Sequence, residues 1–270
     1  MTRQEYADLI IGKIGPLREN LARDFSVKGQ IPSFFVDDLL PQEKAEEIYR
    51  SFPLAGAMVY KKSLRERKSI AAQMNLYAPI LEEIIYAFQD PRIVKLMSEI
   101  TGIKNLIPDE KLYAGGISRM DRGDYLNPHL DNSHDGERKY YRILNLLYYV
   151  TPGWEGKSGG NLELWDSGPG KPCRTILSRF NRLVVMATGQ DSWHSVNEIM
   201  DSTSPRTCVS NYYFSPKSLE VTDYFHVTSF RGRPEEPVKD FLLRGDNILR
   251  QVIRLFFPKG IRKVTHIYKK

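Results

Sequence analysis

The sequence predicts a mainly β fold, a sandwich or barrel of short strands braced by helices on its amino-terminal side. Apolar residues recur at helical spacing through the first hundred positions, and after Gly102 the pattern turns to short β-rich runs separated by Gly, Pro, Asp and Ser. Size agrees with this: 270 residues, 41% hydrophobic and 27% charged, can bury one large core.

In the helical part, Tyr6, Leu9, Ile10, Ile14 and Leu17 recur at helical spacing, as do Ala45, Ile48, Tyr49 and Phe52. Between them IPSFFVDDLL reads as a short strand entering a helix near Pro41. The segment from Pro79 to Phe88 is apolar at Ile80, Leu81, Ile84 and Ile85. The next helix is punctuated by Asp90 as N-cap, Pro91 at the first position and Gly102 as stop. The stretch LRERKS, Leu64 to Ser69, reads as a charged loop with a solvated face.

The strand candidates are KLYAGGISRM, RILNLLYYV, NLELW, RLVVMA, WHSVNEI and RTCVSNYYF, with no internal repeat. RILNLLYYV is apolar or aromatic on both parities, which predicts a strand buried on both faces in the middle of a sheet. Its odd positions Asn145, Leu147 and Tyr149 share one face. The expected organisation is a helix in residues 1–30, a body over 31–215 with helices in 41–102 and strands in 111–215, and an extension over 216–270.

The start MTRQEYADLIIGKIGPLREN mixes charges into its apolar run, and no stretch approaches the roughly 18 apolar residues of a membrane span. A soluble, cytoplasmic protein is expected. Cys173 and Cys208 are too few for a disulfide framework and are read as ordinary small core or loop residues. Net charge is +6, and from Phe241 to Lys270 eight basic residues face Asp246 alone, a net +7 that leaves the first 240 residues at −1. The tail carries the whole excess.

The segment NPHLDN holds His129 and Asp131 two positions apart, a spacing that points both side chains to one side of a strand. His194 follows in DSWHSVNEI. Two imidazoles and one carboxylate leave three adjacent coordination positions open, the arrangement of iron(II) oxygenases rather than of structural zinc. By itself a His-x-Asp pair is also what a polar loop offers.

The context is RMDRGDYLNPHLDN, then RILNLLYYVTPGWEGKSGGNLELW, then NRLVVMA, then WHSV, then a basic residue in PRTCVSNYYF. In that order of motifs the chain resembles the prolyl-hydroxylase-like branch of the Fe(II)/2-oxoglutarate-dependent dioxygenase superfamily over roughly residues 31–214. The resemblance implies a double-stranded β-helix, or jelly roll, with the metal at its open mouth. It implies Fe(II) on His129, Asp131 and His194, with 2-oxoglutarate and O₂ as co-substrates. By matched position, Arg206 would pair with the distal carboxylate of 2-oxoglutarate and Tyr149 would donate its hydroxyl to it. Leu147 would line the co-substrate pocket, and Asn145 would contact co-substrate or substrate. Arg206 lies somewhat further past the distal histidine than is usual in the family, a difference the MDSTSP turn can absorb. Arg182 and Arg174 are the substitutes for it.

Ligand histidines need polar neighbours to hold them, and Asn132, Ser133 and Ser195 are adjacent candidates. His134, His226 and His266 are read as exposed loop histidines, and Trp154, Trp165 and Trp193 as packing residues. Arg119, Arg122, Tyr125 and Arg142 either reach toward substrate from the mouth or form ordinary surface.

In the tail, ILRQVIRLFF sets Ile248, Leu249, Val252, Ile253 and Phe256 on one stripe, followed by the basic run PKGIRKVTHIYKK. Such a helix either packs on the jelly roll or lies on a membrane surface. The charge favours an anionic partner: a membrane surface peripherally bound, an acidic glycolipid or, less so, a nucleic acid. Three functions follow: hydroxylation of a small molecule, sugar or lipid-linked substrate; a prolyl-type protein hydroxylase; and a catalytically silent metal-binding scaffold.

Overall fold

The computed structural model describes residues 1–200, 203–219, 223–257 and 268, with nothing said of the Leu255 side chain. The helices come first: α1 (Arg3–Ile14), α2 (Arg18–Phe25), α3 (Gln42–Arg50), α4 (Pro79–Ala87) and α5 (Pro91–Thr101). The predicted punctuation of α5 is realised in full. The Asp90 side chain accepts from Arg92 N, Pro91 opens the helix, and Gly102 closes it in the left-handed conformation at φ 73°.

The strands are β1 (Ser33–Val36), β2 (Val59–Lys62), β3 (Glu66–Ala71), β4 (Ile107–Pro108), β5 (Gly116–Met120), β6 (Tyr125–Leu130) and β7 (Tyr141–Tyr149). They continue with β8 (Leu162–Leu164), β9 (Arg174–Ile176), β10 (Arg182–Ala187), β11 (His194–Val196), β12 (Arg206–Ser215) and β13 (Ser229–Phe230), and a last helix, α6, spans Pro237–Phe256. All pairings are antiparallel. One set runs β10-β7-β12-β5 with β1 on its outer edge, the other runs β6-β11-β8-β9, and β3 bridges them by pairing with both β5 and β6. The result is the jelly roll that the resemblance implied.

Alternation along β7 divides the core. Leu144, Leu146 and Tyr148 join Leu183, Val185 and Val209 in a layer against α1, α4 and α5, which contribute Ile10, Ile14, Leu81, Ile84, Ile93 and Met97. The helices therefore cover the outer face of the larger sheet. Tyr149 and Leu147 point the other way, between the sheets, with Leu162, Leu164, Ile176, Val184 and Met186. Burial of a side chain of this size is worth about 1.5–3 kcal/mol, so these two layers account for the main stabilising term.

LRERKS is a loop only at its start, Leu64 and Arg65, of which Leu64 is exposed. Glu66 to Ala71 form the bridging strand, and its charges are held by pairing rather than by water, with Lys68 Nζ 3.0 Å and Lys61 Nζ 3.9 Å from Glu66. Arg3 and Tyr268 both meet α4. Arg3 reaches Glu83 at 3.0 Å and Glu82 at 3.9 Å, while the Tyr268 hydroxyl donates to Glu82 at 3.0 Å. The rest of the basic run, residues 258–267 with His266 and residues 269–270, lies outside the described residues, as do Asp201 and Ser202 of the MDSTSP turn.

Candidate metal centre and its cavity

His129 sits on β6, Asp131 one residue past its end, and His194 opens β11, where the register sets His194 directly opposite His129. Neighbouring antiparallel strands thus supply the two imidazoles. One ligand atom from each of the three residues lies within 4.8 Å of the others. Asp131 faces His129 Nε2 at 3.6 Å with one oxygen and His194 Nε2 at 3.8 Å with the other.

The ring orientations are fixed from behind. His129 Nδ1 is 3.0 Å from the Asn127 carbonyl and His194 Nδ1 is 2.8 Å from the Ser192 carbonyl. A carbonyl only accepts, so Nδ1 carries the proton in both rings and each Nε2 turns a lone pair toward the shared point. These backbone acceptors take the place expected for Asn132, Ser133 and Ser195. Asn132 instead donates to the His134 carbonyl, Ser133 bonds the His226 backbone, and Ser195 donates to Glu163 at 2.6 Å while accepting from Trp165 Nε1 at 2.8 Å.

Protonation suits a divalent cation. Burial first, then His194, pushes the His129 imidazole down to about 3. Burial alone would raise the Asp131 carboxyl, but Arg142, His194 and His129 hold it well below the usual carboxylate range. A neutral imidazole and an ionised carboxylate are the ligand forms a metal requires. Asp131 Oδ2 is buried and unbonded among the described residues, a vacancy of hydrogen bonding that a cation would fill.

These groups line a cavity of about 990 Å³ together with Asn145, Leu147 and Arg206. Arg206, 4% exposed at the start of β12, lies 4.7 Å over the Tyr149 ring and bonds Ser178 Oγ at 3.3 Å, but makes no ion pair among the described residues. A buried guanidinium without a carboxylate is expensive unless an anion completes it. Near it the Tyr149 hydroxyl is buried without a hydrogen bond of standard geometry, and burial pushes it up to about 12, so it remains a donor. Asn145 Oδ1 is likewise unbonded among the described residues. Arg182 and Arg174 are engaged elsewhere, with Asp37 at 2.6 Å and Asp166 at 3.1 Å.

Arg142, assigned to the mouth or the surface, is inside. It is 6% exposed, 3.3 Å from Asp131 and 4.5 Å over the Tyr212 ring. Strict alternation from Asn145 would turn it outward. The register against β12 passes from Tyr213–Leu144 to Phe214–Arg142, which leaves Ile143 of β7 as an extra, bulged residue and sends Ile143 to the helix layer and Arg142 to the cavity. His134 and His226 are not exposed either. His134 is 7% exposed beside the Tyr141 ring and bonded to Ser133 Oγ, and His226 is partly buried against Tyr224, because the segment before β13 folds over them. Arg119 is bound to Asp121, and Tyr125 donates to the Ser63 carbonyl, so neither is free to reach inward. Trp154 and Trp165 are buried packing residues, as expected.

The jelly roll thus brings His129, Asp131 and His194 together as a group that could hold a metal ion. The sequence profile of the 2OG-Fe(II) oxygenase superfamily matches residues 115–214, the stretch that carries all three clustered residues, and the similar proteins include prolyl hydroxylases. Members of this class use Fe(II), 2-oxoglutarate and O₂. The prolyl 3-hydroxylase OGFOD1 of Mus musculus is 26% identical over 160 residues, which are 52% of this chain and 28% of that protein. The chain thus matches little more than a quarter of that relative's length. A Pseudomonas putida prolyl-4-hydroxylase superposes with a TM-score of 0.52 at 15% identity, covering 72% of this chain and 98% of that one. A prolyl 4-hydroxylase from Phytophthora capsici gives 0.54 at 16% identity over 92% and 78%. At such identities the likeness is one of fold.

Proposed function

We propose that the chain is an Fe(II)- and 2-oxoglutarate-dependent dioxygenase that hydroxylates an unactivated C–H bond of an anionic small-molecule, sugar or lipid-linked substrate. The observation that carries the reaction class is the convergence of His129, Asp131 and His194 on one point of a cavity that also holds Arg206. On this reading the three ligands hold Fe(II) on one side and leave the cavity side open. When bound, the metal and keto acid supply the oxidising chemistry that the side chains lack. Arg206 pairs with the distal carboxylate of 2-oxoglutarate, the Tyr149 hydroxyl donates to the same group, and Leu147 and Asn145 shape its bed. Arg142 orients Asp131 and screens its charge.

The substrate class rests on the cavity's charge. Eight basic residues line it against three acidic ones, Glu66, Asp131 and Asp135. Glu66 is spoken for: burial opposes its ionisation, but Lys68 and Lys61 bring it down to about 2. Asp131 would be spent on the metal. Lys61 and Lys68 are neutralised in return, and Arg65 and Arg250 share Asp246, so the lining keeps a smaller positive excess, which favours anions. A second reading, a protein hydroxylase, is favoured by the prolyl hydroxylases among the relatives.

Anaerobic titration tests the reaction class. Fe(II) plus 2-oxoglutarate should give a weak visible charge-transfer band that neither gives alone, and His129→Ala or Asp131→Ala should abolish it together with succinate production. Retention of both in either variant overturns the ligand assignment. O₂-dependent succinate release screened against phosphorylated or carboxylated sugars, lipid-linked glycans and prolyl peptides separates the two substrate readings.

A further inference from the structure

Amphipathic helices of soluble proteins bury their apolar stripe, and α6 does the opposite. Its polar side holds the body. Asn247 exchanges two hydrogen bonds with the backbone of Phe230, accepting at 2.9 Å and donating at 2.6 Å. Asp240 accepts from Arg231 at 2.6 Å and from Gly232 N at 2.9 Å, and Asp246 bonds both Arg65 and Arg250. Leu243, 2% exposed, is the apolar residue fully buried on that side.

The other side of the helix carries Phe241, Leu242, Ile248, Leu249, Val252 and Phe256, which fall within one half of the helical circumference. Phe241 is 77% exposed, Ile248 67%, Leu249 59% and Phe256 76%. An apolar patch of that length on a surface marks an interaction site. No residue from 247 to 270 is acidic, while Arg250, Arg254, Lys259, Arg262, Lys263, Lys269 and Lys270 are basic. The face is therefore apolar along its length and continues in chain that is positive.

We propose that α6 docks the protein on an anionic lipid bilayer, with its apolar stripe in the interfacial layer and the five basic residues that follow the helix in sequence supplying the attraction to the headgroups. Apolar insertion and charge attraction act together in such helices, and neither alone identifies the surface. No described helix is long and apolar enough to cross a membrane, so the attachment is peripheral. Arg250, Ile253 and Arg254 on the inner side of the same helix line the cavity of the metal centre. Docking consequently holds the cavity one helix diameter, about 10 Å, from the lipid surface, with α6 between them. Resting on the oxygenase reading for this last step alone, the substrate is an anionic headgroup or lipid-linked anion presented there.

Flotation of the full chain with phosphatidylglycerol-containing and pure phosphatidylcholine vesicles tests the docking, and the Fe(II)/2-oxoglutarate band on the same samples reads the oxygenase assignment separately. The expected result is partition onto the anionic vesicles at low salt, at least tenfold weaker in Phe241→Glu/Leu249→Glu and reduced by raised salt, with the band retained in the variant. Both side chains are more than half exposed, and Phe241→Ser/Leu249→Ser serves if the charged pair does not fold. Absence of partition, equal partition of the variant, or equal binding to neutral vesicles overturns the proposal. So does a dimer in sedimentation that the same substitutions disperse, since a second copy would then cover the stripe.

Discussion

Arg206 is a cation kept dry by the protein with no described carboxylate to meet it, and that cost is sensible only if a ligand brings the charge. Arg206→Ala should weaken 2-oxoglutarate by about 1.5–3 kcal/mol, or roughly one to two decades in affinity, with much less effect on iron. Titration of 2-oxoglutarate by the visible band measures it. Arg182→Ala should leave that affinity alone and cost stability instead, because its partner is Asp37. At this scale the clustering of His129, Asp131 and His194 was legible, since His129 and Asp131 share a strand parity and the distal histidine stands in a β-rich run. Arg142 was not, because its direction depends on a bulge at the adjacent Ile143, and an apolar residue within an apolar run carries no local mark of a bulge. The backbone acceptors behind the imidazoles were equally hidden: any residue has a carbonyl, so sequence carries no mark of them.

Among the elements, the turn Gly159–Gly160 after β7 carries the tightest backbone demand. Gly159 has φ 77°, and a Cβ there would stand 2.0 Å from the Glu198 carbonyl oxygen, while a Cβ on Gly160 would stand 3.1 Å from the Arg206 side chain. Gly159→Ala should therefore destabilise by about 2–3 kcal/mol, the combined scale of left-handed strain and forced displacement. Thermal melts should fall by about 2–4 °C for each kcal/mol in a domain of this size. Because the turn also abuts Arg206, 2-oxoglutarate affinity should drop in the folded variant. The Gly-Gly pair was visible in sequence, as were α5 with its caps and the doubly buried β7. β3 was misread because its charges lie on a strand: local composition announces solvent, whereas pairing of Lys61 and Lys68 with Glu66 makes a cavity wall. β9 was absent from the strand candidates, for Arg174–Ile176 is too short to show alternation.

For the molecule as a whole, the order helices-then-strands contained the architecture, because a helical layer needs one face of a sheet to cover. What joins the two sheets, the bridging by β3, depends on long-range pairings that periodicity cannot express. The tail stripe was legible as a stripe, but not that its polar side would be the one turned inward, nor that Ile253 would line the cavity with Arg250 and Arg254. The meeting of Arg3 and Tyr268 on α4 has a different reach. Arg3 and Tyr268 contact the same Glu82, and the Arg3 guanidinium and the Tyr268 ring also flank Tyr86. Arg3 and Tyr268 are thus neighbours in space although they stand far apart along the chain. A circular permutant that joins the ends through a short glycine-serine linker and opens between the exposed Gly170 and Lys171 should fold, keep the Fe(II)/2-oxoglutarate band and melt near the parent temperature. Loss of the band in a soluble permutant would mean that the ends act as separate anchors rather than as one seam.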